Sequence, residues 1–386
     1  MISSSLKNLL HVLRYPALPM QTDLVGEFRV GAIQTRIPGA TACQIHYPTL
    51  ESSSSIDAPY FRPEAAKGLA DYTRQSPALM EFLSMRKHPC YMGALPIPGR
   101  QFPVVVFSHG LGGCMEMYTE LCQQIASMGY WVIALEHEDG SGAYAYDAET
   151  DTPILYKRPD DTPYSRNKVL SFRAPFLEQR VEEITSVVNF VMSDNHSTDD
   201  NNDATKTQQV WQAADKTSGI HLLGHSFGGA SMVLASQSEK LISRHSINSV
   251  GLLDCWAFSL SDSVLDRGCG SFPTLSILSE AWLSNPETAQ VEQLLQNTPN
   301  LSSFYCPDSM HTSFSDAANW LPRVVARSMY MRAPREKRHA TIRTVAKACV
   351  QHMQNDTNDS KKDALFEGLK EYEVQTATSH ASEVAA

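Results

Sequence analysis

Ile220-His221-Leu222-Leu223-Gly224-His225-Ser226-Phe227-Gly228-Gly229-Ala230 reads as an apolar strand, a tight turn and the start of a helix. The Gly-x-Ser-x-Gly pattern suits a serine on a sharp strand-to-helix turn. Glycines at 224 and 228 let the two backbones pass closely and leave the Ser226 hydroxyl exposed. The amides at the helix start, Phe227 first, then face a developing oxyanion. An ordinary glycine turn is the plainer reading; the apolar strand before the serine and Gly228-Gly229-Ala230 after it weigh against that.

Upstream, Phe102-Pro103-Val104-Val105-Val106-Phe107-Ser108-His109-Gly110-Leu111-Gly112-Gly113 runs an unbroken apolar strand into a His-Gly-x-Gly loop. Such a run fits a buried parallel strand, and the loop can present a second amide, that of Leu111, to the same oxyanion. Glu116 to Met128 reads as a helix and Tyr130 to Glu136 as the next buried strand, which completes a βαβ unit. The acids around His137 at its end match no metal-ligand spacing and read as a polar loop. Two earlier strands, Val25–Gly31 and Ala42–Tyr47, flank a Pro38-Gly39 turn and give the sheet an antiparallel start. Helical spacing within Pro63–Lys87 suggests elements that border a site.

Leu177, Val181, Ile184, Val188 and Val191 mark an amphipathic helix from about Ala174 to Met192, with Pro175 suited to its first turn. Residues Ser193 to Gly219 form a polar surface insertion. Two further strands close on acids, Val250–Asp254 and Pro273–Glu280, and Leu301–Cys306 leads into the loop Pro307-Asp308-Ser309-Met310-His311. The expected organisation is an N-terminal segment over 1–24, one catalytic domain over 25–353 with an insertion at 193–219, and a polar tail over 354–386. Within that tail only Asp363–Tyr372 has a helical pattern.

Composition narrows the function. A formal net charge of -10 leaves no basic footprint for nucleic acid. Eight cysteines lack Cys-x-x-Cys spacing, so neither a zinc site nor a redox pair is indicated; they read as buried thiols. No run has the length of a signal-peptide core or a spanning helix, and Ile2 breaks the myristoylation pattern. The expectation is a cytoplasmic protein.

A serine hydroxyl needs a histidine within reach, itself oriented by a carboxylate. The chain order Ser226, acid, His311 is that of α/β-hydrolases: a mostly parallel central sheet with helices on both faces. Of the thirteen histidines, five follow the serine, and His311 alone sits in a loop just after an apolar segment. Strand ends offer two acids, Asp254 and Glu280, and position alone leaves both open.

Five blocks in order resemble the serine platelet-activating factor acetylhydrolases, the plasma and intracellular type II group. They are Phe107–Gly112, Glu136–Asp139, Gly224–Ala230, Leu253–Trp256 and Met310–Phe314, and the resemblance spans roughly Val25 to Met353. It implies Asp254 as the acid and the Leu111 and Phe227 amides as the oxyanion hole. It implies a calcium-independent serine esterase, phospholipase A2-like, that removes an acetyl, short or oxidised sn-2 acyl chain from phospholipids such as platelet-activating factor, with no cofactor and no metal. Departures are the Asn/Asp-rich insertion, Glu138 where a basic residue is expected, and missing myristoylation and secretion signals. Apolar residues around Leu79 to Met85 are candidates for peripheral contact with a lipid surface. The rivals are a general carboxylesterase or dienelactone-hydrolase-like enzyme on small esters, and a non-catalytic binding protein of the same fold.

Overall fold

The computed structural model describes residues 23–52, 58–160, 165–194, 202–320, 335–354 and 368–374. Apolar β-branched runs build its spine. Strands β4 (Val104–Ser108), β5 (Trp131–Leu135) and β8 (Ile220–His225) are wholly buried, and β4 lies between the other two, parallel to both. A strand buried on both faces is dominated by apolar residues, which is why these segments show no alternation; the buried His221 and His225 of β8 each have a hydrogen-bond partner. Strands β9 (Ile247–Leu253), β10 (Thr274–Ser279) and β11 (Leu301–Cys306) continue the parallel order beyond β8.

Beyond β5 the sheet turns antiparallel through β2 (Ala42–Thr49) and β1 (Arg29–Arg36), and the two-residue strand β3 (Tyr91–Met92) pairs with β1 at the edge. Gly39 makes the turn between β1 and β2 with φ 67. The first strand starts later than the sequence suggests. Val25, Gly26 and Phe28 donate their amides to Gln124 Oε1, Ser127 Oγ and Ser127 O, so residues 25–28 are held by a helix end instead of a strand partner. A small hairpin, β6 (Tyr144–Asp147) and β7 (Thr152–Leu155), stands apart from the sheet.

Helices cover both faces. Helices α1 (Pro63–Thr73), α2 (Pro77–Ser84) and α3 (Thr119–Ser127) join one core, in which Leu69, Leu83 and Leu121 meet Val105 and Val132. Helices α4 (Arg166–Val191), α5 (Asn202–Gln212), α6 (Phe227–Ser236) and α7 (Thr288–Gln296) join the other. Helix α8 (Arg335–Met353) adds Ile342, Val345 and Cys349 to the first core. Each wholly buried aliphatic side chain here, such as Ile184 or Val345, contributes about 1.5–3 kcal/mol by leaving water.

Three expectations are corrected. Helix α4 begins at Arg166, and Pro175 lies inside it, not in its first turn. A proline there forfeits one backbone bond, about 3 kcal/mol in an isolated helix, while Val169 and Arg173 on the preceding turns are buried and hold the helix to the body. The 193–219 stretch is not only surface: α5 buries Val210 and Trp211, Trp131 Nε1 donates to Val210 O at 2.9 Å, and the two indoles lie 5.7 Å apart. In the tail, Lys370–Glu371 is a strand, β12, antiparallel to β11, and Tyr372 Oη bonds Glu292 Oε1 at 2.8 Å. Residues 370–372 are therefore not helical; the N-terminal segment to residue 22 and residues 355–367 and 375–386 lie outside the described residues.

Candidate active site

Strand β8 carries the chain to Ser226, which adopts φ 57 and ψ -119 between strand and helix. A non-glycine residue held there costs of order 1–3 kcal/mol, so the surroundings must fix it. Ser226 N–H donates to Leu253 O at 2.9 Å, and Ser226 O accepts from Trp256 N–H at 2.9 Å and Ala230 N–H at 3.2 Å. The flanking glycines answer to close backbone approach. A Cβ on Gly224 would stand 2.3 Å from Gly228 O, and one on Gly228 would stand 2.0 Å from Ser108 O.

His311 Nε2 lies 2.9 Å from Ser226 Oγ, and His311 Nδ1 lies 3.1 Å from Asp254 Oδ2. Asp254 directly follows β9 at φ 43, is fully buried, and accepts from Ser279 N–H and Ser279 Oγ, each at 2.5 Å. Those bonds hold the carboxylate toward the imidazole. Trp282 stacks on His311 with ring centres 4.7 Å apart and planes 22° from parallel, which fixes the ring's tilt. The relay can take the hydroxyl proton as the oxygen attacks an acyl carbon and return it to a leaving group.

The two expected oxyanion donors lie at the helix start after Ser226 and in the loop packed against it. Ala230 N–H makes the first bond within α6, to Ser226 O, which leaves Phe227 N–H outside the helical ladder. In the facing loop, Gly110 N–H donates to Tyr118 Oη, Gly112 N–H to Ser141 O and Gly113 N–H to Gly110 O; among the described residues no acceptor meets the Leu111 amide. A Cβ on Gly110 would lie 3.0 Å from Ser226 Cβ, so loop and elbow are in contact.

Residues that sequence reading missed hold this geometry. His225 Nε2 donates to His311 O at 3.0 Å, so its Nδ1 accepts from Tyr118 Oη at 2.8 Å. Burial, and then the neighbouring His311, hold His225 well below the usual imidazole range, which keeps it neutral in that tautomer. Arg180, fully buried on α4, donates to His109 O at 2.7 Å, pairs with Asp139 at 2.9 Å and lies 4.7 Å above the Phe227 ring. It thus touches the Phe227 ring and the start of the loop that carries Leu111. Its place three residues after Leu177 and four before Ile184, a charge on an apolar stripe, was the available signal.

Glu280, the rival acid, is exposed; its Oε2 accepts Asp308 N–H at 2.6 Å and braces the loop that carries His311. Glu136 and Asp139 pair with Arg62 and Arg180, Glu138 lies 2.8 Å from Arg36, and His137 Nδ1 lies 2.6 Å from Glu183. Burial, and then the nearby Asp139, push Glu183 up to about 8. His225, Asp254 and His311 place ligand-type atoms within 4.8 Å of one another, yet each imidazole nitrogen already has a protein partner. The eight cysteines are free and buried.

A cavity of about 380 Å³ opens over Ser226 and His311. Leu69 and Tyr72 of α1, Met117, Trp256 and Trp282 give it apolar walls, so the region expected to border the site does so through α1. On α2 and its end, Leu79 and Met85 are 38% and 58% exposed, whereas Met80 and Leu83 are core. Among the described residues no helix is long and apolar enough to cross a membrane.

A family model described as platelet-activating factor acetylhydrolase, isoform II, matches residues 21–372. The platelet-activating factor acetylhydrolase of Gallus gallus is 26% identical over 292 residues, covering 71% of this chain and 68% of that protein. Its namesake from Cavia porcellus is 26% identical over 278 residues, covering 70% and 62%. The chain thus spans about two thirds of the length of these relatives. Among solved structures, a ferulic acid esterase from Streptomyces cinnamoneus superposes with a TM-score of 0.62 at 17% identity, over 91% of this chain and 98% of that one; this is a likeness of fold, that of the α/β-hydrolases.

Proposed function

The chain belongs to the platelet-activating factor acetylhydrolase isoform II family, and from that premise we propose that it hydrolyses the sn-2 acetyl or short acyl ester of phospholipids through Ser226. His311 Nε2 takes the proton from Ser226 Oγ while the oxygen bonds to the ester carbon. The carbonyl oxygen becomes an anion between the Leu111 and Phe227 amides. The C–O bond to the glycerol then breaks, and His311 returns the proton to the departing lysophospholipid oxygen. A water, deprotonated by His311, attacks the acyl carbon and frees the short acid, which restores Ser226. Asp254 stays ionised and keeps His311 in the tautomer with Nδ1–H.

The observation that carries this reading is the continuous contact Ser226 Oγ, His311, Asp254 at 2.9 and 3.1 Å beneath an apolar cavity. No step needs calcium or a cofactor. Exposed Leu79 and Met85 beside the cavity helices support a transient lipid contact. Eight unpaired, buried cysteines support a cytoplasmic setting. Treatment with a fluorophosphonate followed by peptide mass spectrometry tests the nucleophile. The expected adduct is on the peptide that holds Ser226 and is lost in Ser226→Ala; an adduct elsewhere, or none, overturns the assignment.

A further inference from the structure

A second cavity, about 300 Å³, opens beside the first, and Leu111 and Trp256 line both. The two are neighbouring compartments around the expected oxyanion donor. The second differs in chemistry: Arg173 and Lys168 line it together with the aromatic rings of Tyr156 and Phe172.

Arg173 is the informative group. It is 4% exposed, its Nη2 donates to Tyr156 Oη at 2.7 Å, and among the described residues its Nη1 has no hydrogen-bond partner. No carboxylate pairs with it among the described residues, in contrast to Arg62 and Arg180, each of which has a buried acid. Its guanidinium lies 5.4, 4.7 and 5.9 Å from the rings of Tyr156, Phe172 and Phe227. Aromatic faces support a cation but accept no hydrogen bond along the N–H fork. A buried cation without an anion is costly, and a guanidinium recognises phosphate and carboxylate oxygens in its plane. Lys168, exposed at the mouth, adds a second positive charge, and Asp160 is the acid on the wall.

We propose that this compartment is an anion subsite, in which Arg173 Nη1 and Lys168 bind a charged oxygen group of the ester substrate while its acyl carbon sits at Ser226. The inference rests on the reading of Ser226 given above. The shared chemistry is an oxyanion one compartment away from the scissile ester. Two parts of a lipid can supply it: the phosphodiester of the headgroup, or the terminal carboxylate of an oxidatively shortened acyl chain.

The test is a comparison of kcat/KM across three esters for wild type, Arg173→Gln, Arg173→Lys and Lys168→Ala. The esters are 1-hexadecyl-2-acetylglycerophosphocholine, neutral 1-hexadecyl-2-acetylglycerol, and a neutral glycerol ether whose sn-2 chain ends in a carboxylate. Loss of one charge-assisted hydrogen bond should lower the ratio of phosphate-bearing to neutral ester about tenfold or more in Arg173→Gln, mainly through KM, and less in Lys168→Ala and Arg173→Lys. The same fall confined to the carboxylate ester keeps the subsite and assigns it to the acyl end. If both ratios stay within about twofold of wild type in every folded variant, the subsite is wrong. Should Arg173→Gln fail to fold, the exposed Lys168→Ala and the charge-preserving Arg173→Lys carry the comparison. Failure of the Ser226 reading shows separately, as wild-type turnover of the neutral ester that survives Ser226→Ala.

Discussion

Gly228→Ala isolates what the close approach of helix to strand contributes. The new methyl carbon would stand 2.0 Å from Ser108 O, 2.5 Å from Ser108 C and 2.8 Å from His109 O. All are main-chain atoms of β4 and the loop after it, so no side chain can swing aside. Real Cβ contacts essentially never fall under 3.0 Å, so the start of α6 must retreat by about 1 Å, the difference between 3.0 and 2.0. Ser226 Oγ and the Phe227 amide move with that turn, away from His311 and from the Leu111 loop. A misplacement of that size costs about 100-fold in rate, and overpacking costs about 1–3 kcal/mol of stability. The assay is kcat on p-nitrophenyl acetate together with the melting temperature. Gly39→Ala is the control: its φ is 67 but none of the described residues reaches within 4 Å, so it should lose about 1 kcal/mol of stability and leave kcat alone. Wild-type kcat in Gly228→Ala, or an equal loss of kcat in Gly39→Ala, would refute the reasoning.

Asp254→Asn should keep the fold and lower kcat by about 10³–10⁴ because the amide no longer holds His311 in its working tautomer, whereas Glu280→Gln should stay within about threefold; the reverse order in steady-state rates would make Glu280 the acid. His221 is buried, with its Nδ1 2.8 Å from Ser249 Oγ, and burial and then His352 lower it to about 4. Because the folded value is depressed, the unfolded chain binds the extra proton below about pH 6.5, and stability falls as pH drops from there toward 4. Wild type should therefore lose about 3 kcal/mol over that window relative to His221→Asn; urea melts that track each other in parallel across the window would contradict it.

What was legible in the sequence follows from how parallel strands announce themselves. The runs ending at Phe107, Leu135 and Leu223 are, His221 apart, apolar on both faces and stop at glycine or polar turns, so strand, loop and elbow could be read together. Asp254 and Glu280 could not be separated that way, because both end strands; the difference lies in side-chain direction, Asp254 toward His311 and Glu280 toward the Asp308 amide. The start of α4 was hidden by Arg166, Lys168 and Arg173, which look like a loop until Val169 and Arg173 are seen to be buried. The Asn/Asp-rich insertion masked Val210 and Trp211, whose partner Trp131 is far off in sequence. The same is true of Tyr118 and His225: their contact is tertiary, and no local pattern encodes it.

The central claim is a serine-dependent, calcium-independent hydrolysis of short sn-2 esters. Release of acid from 2-acetyl and long-chain sn-2 phosphatidylcholines, measured side by side in chelator for wild type and Ser226→Ala, tests it most directly. The account predicts acetate release by wild type, little release of the long acyl chain, and neither by Ser226→Ala. Acetate release that persists in Ser226→Ala, or an absence of serine-dependent activity on both lipids, would contradict it.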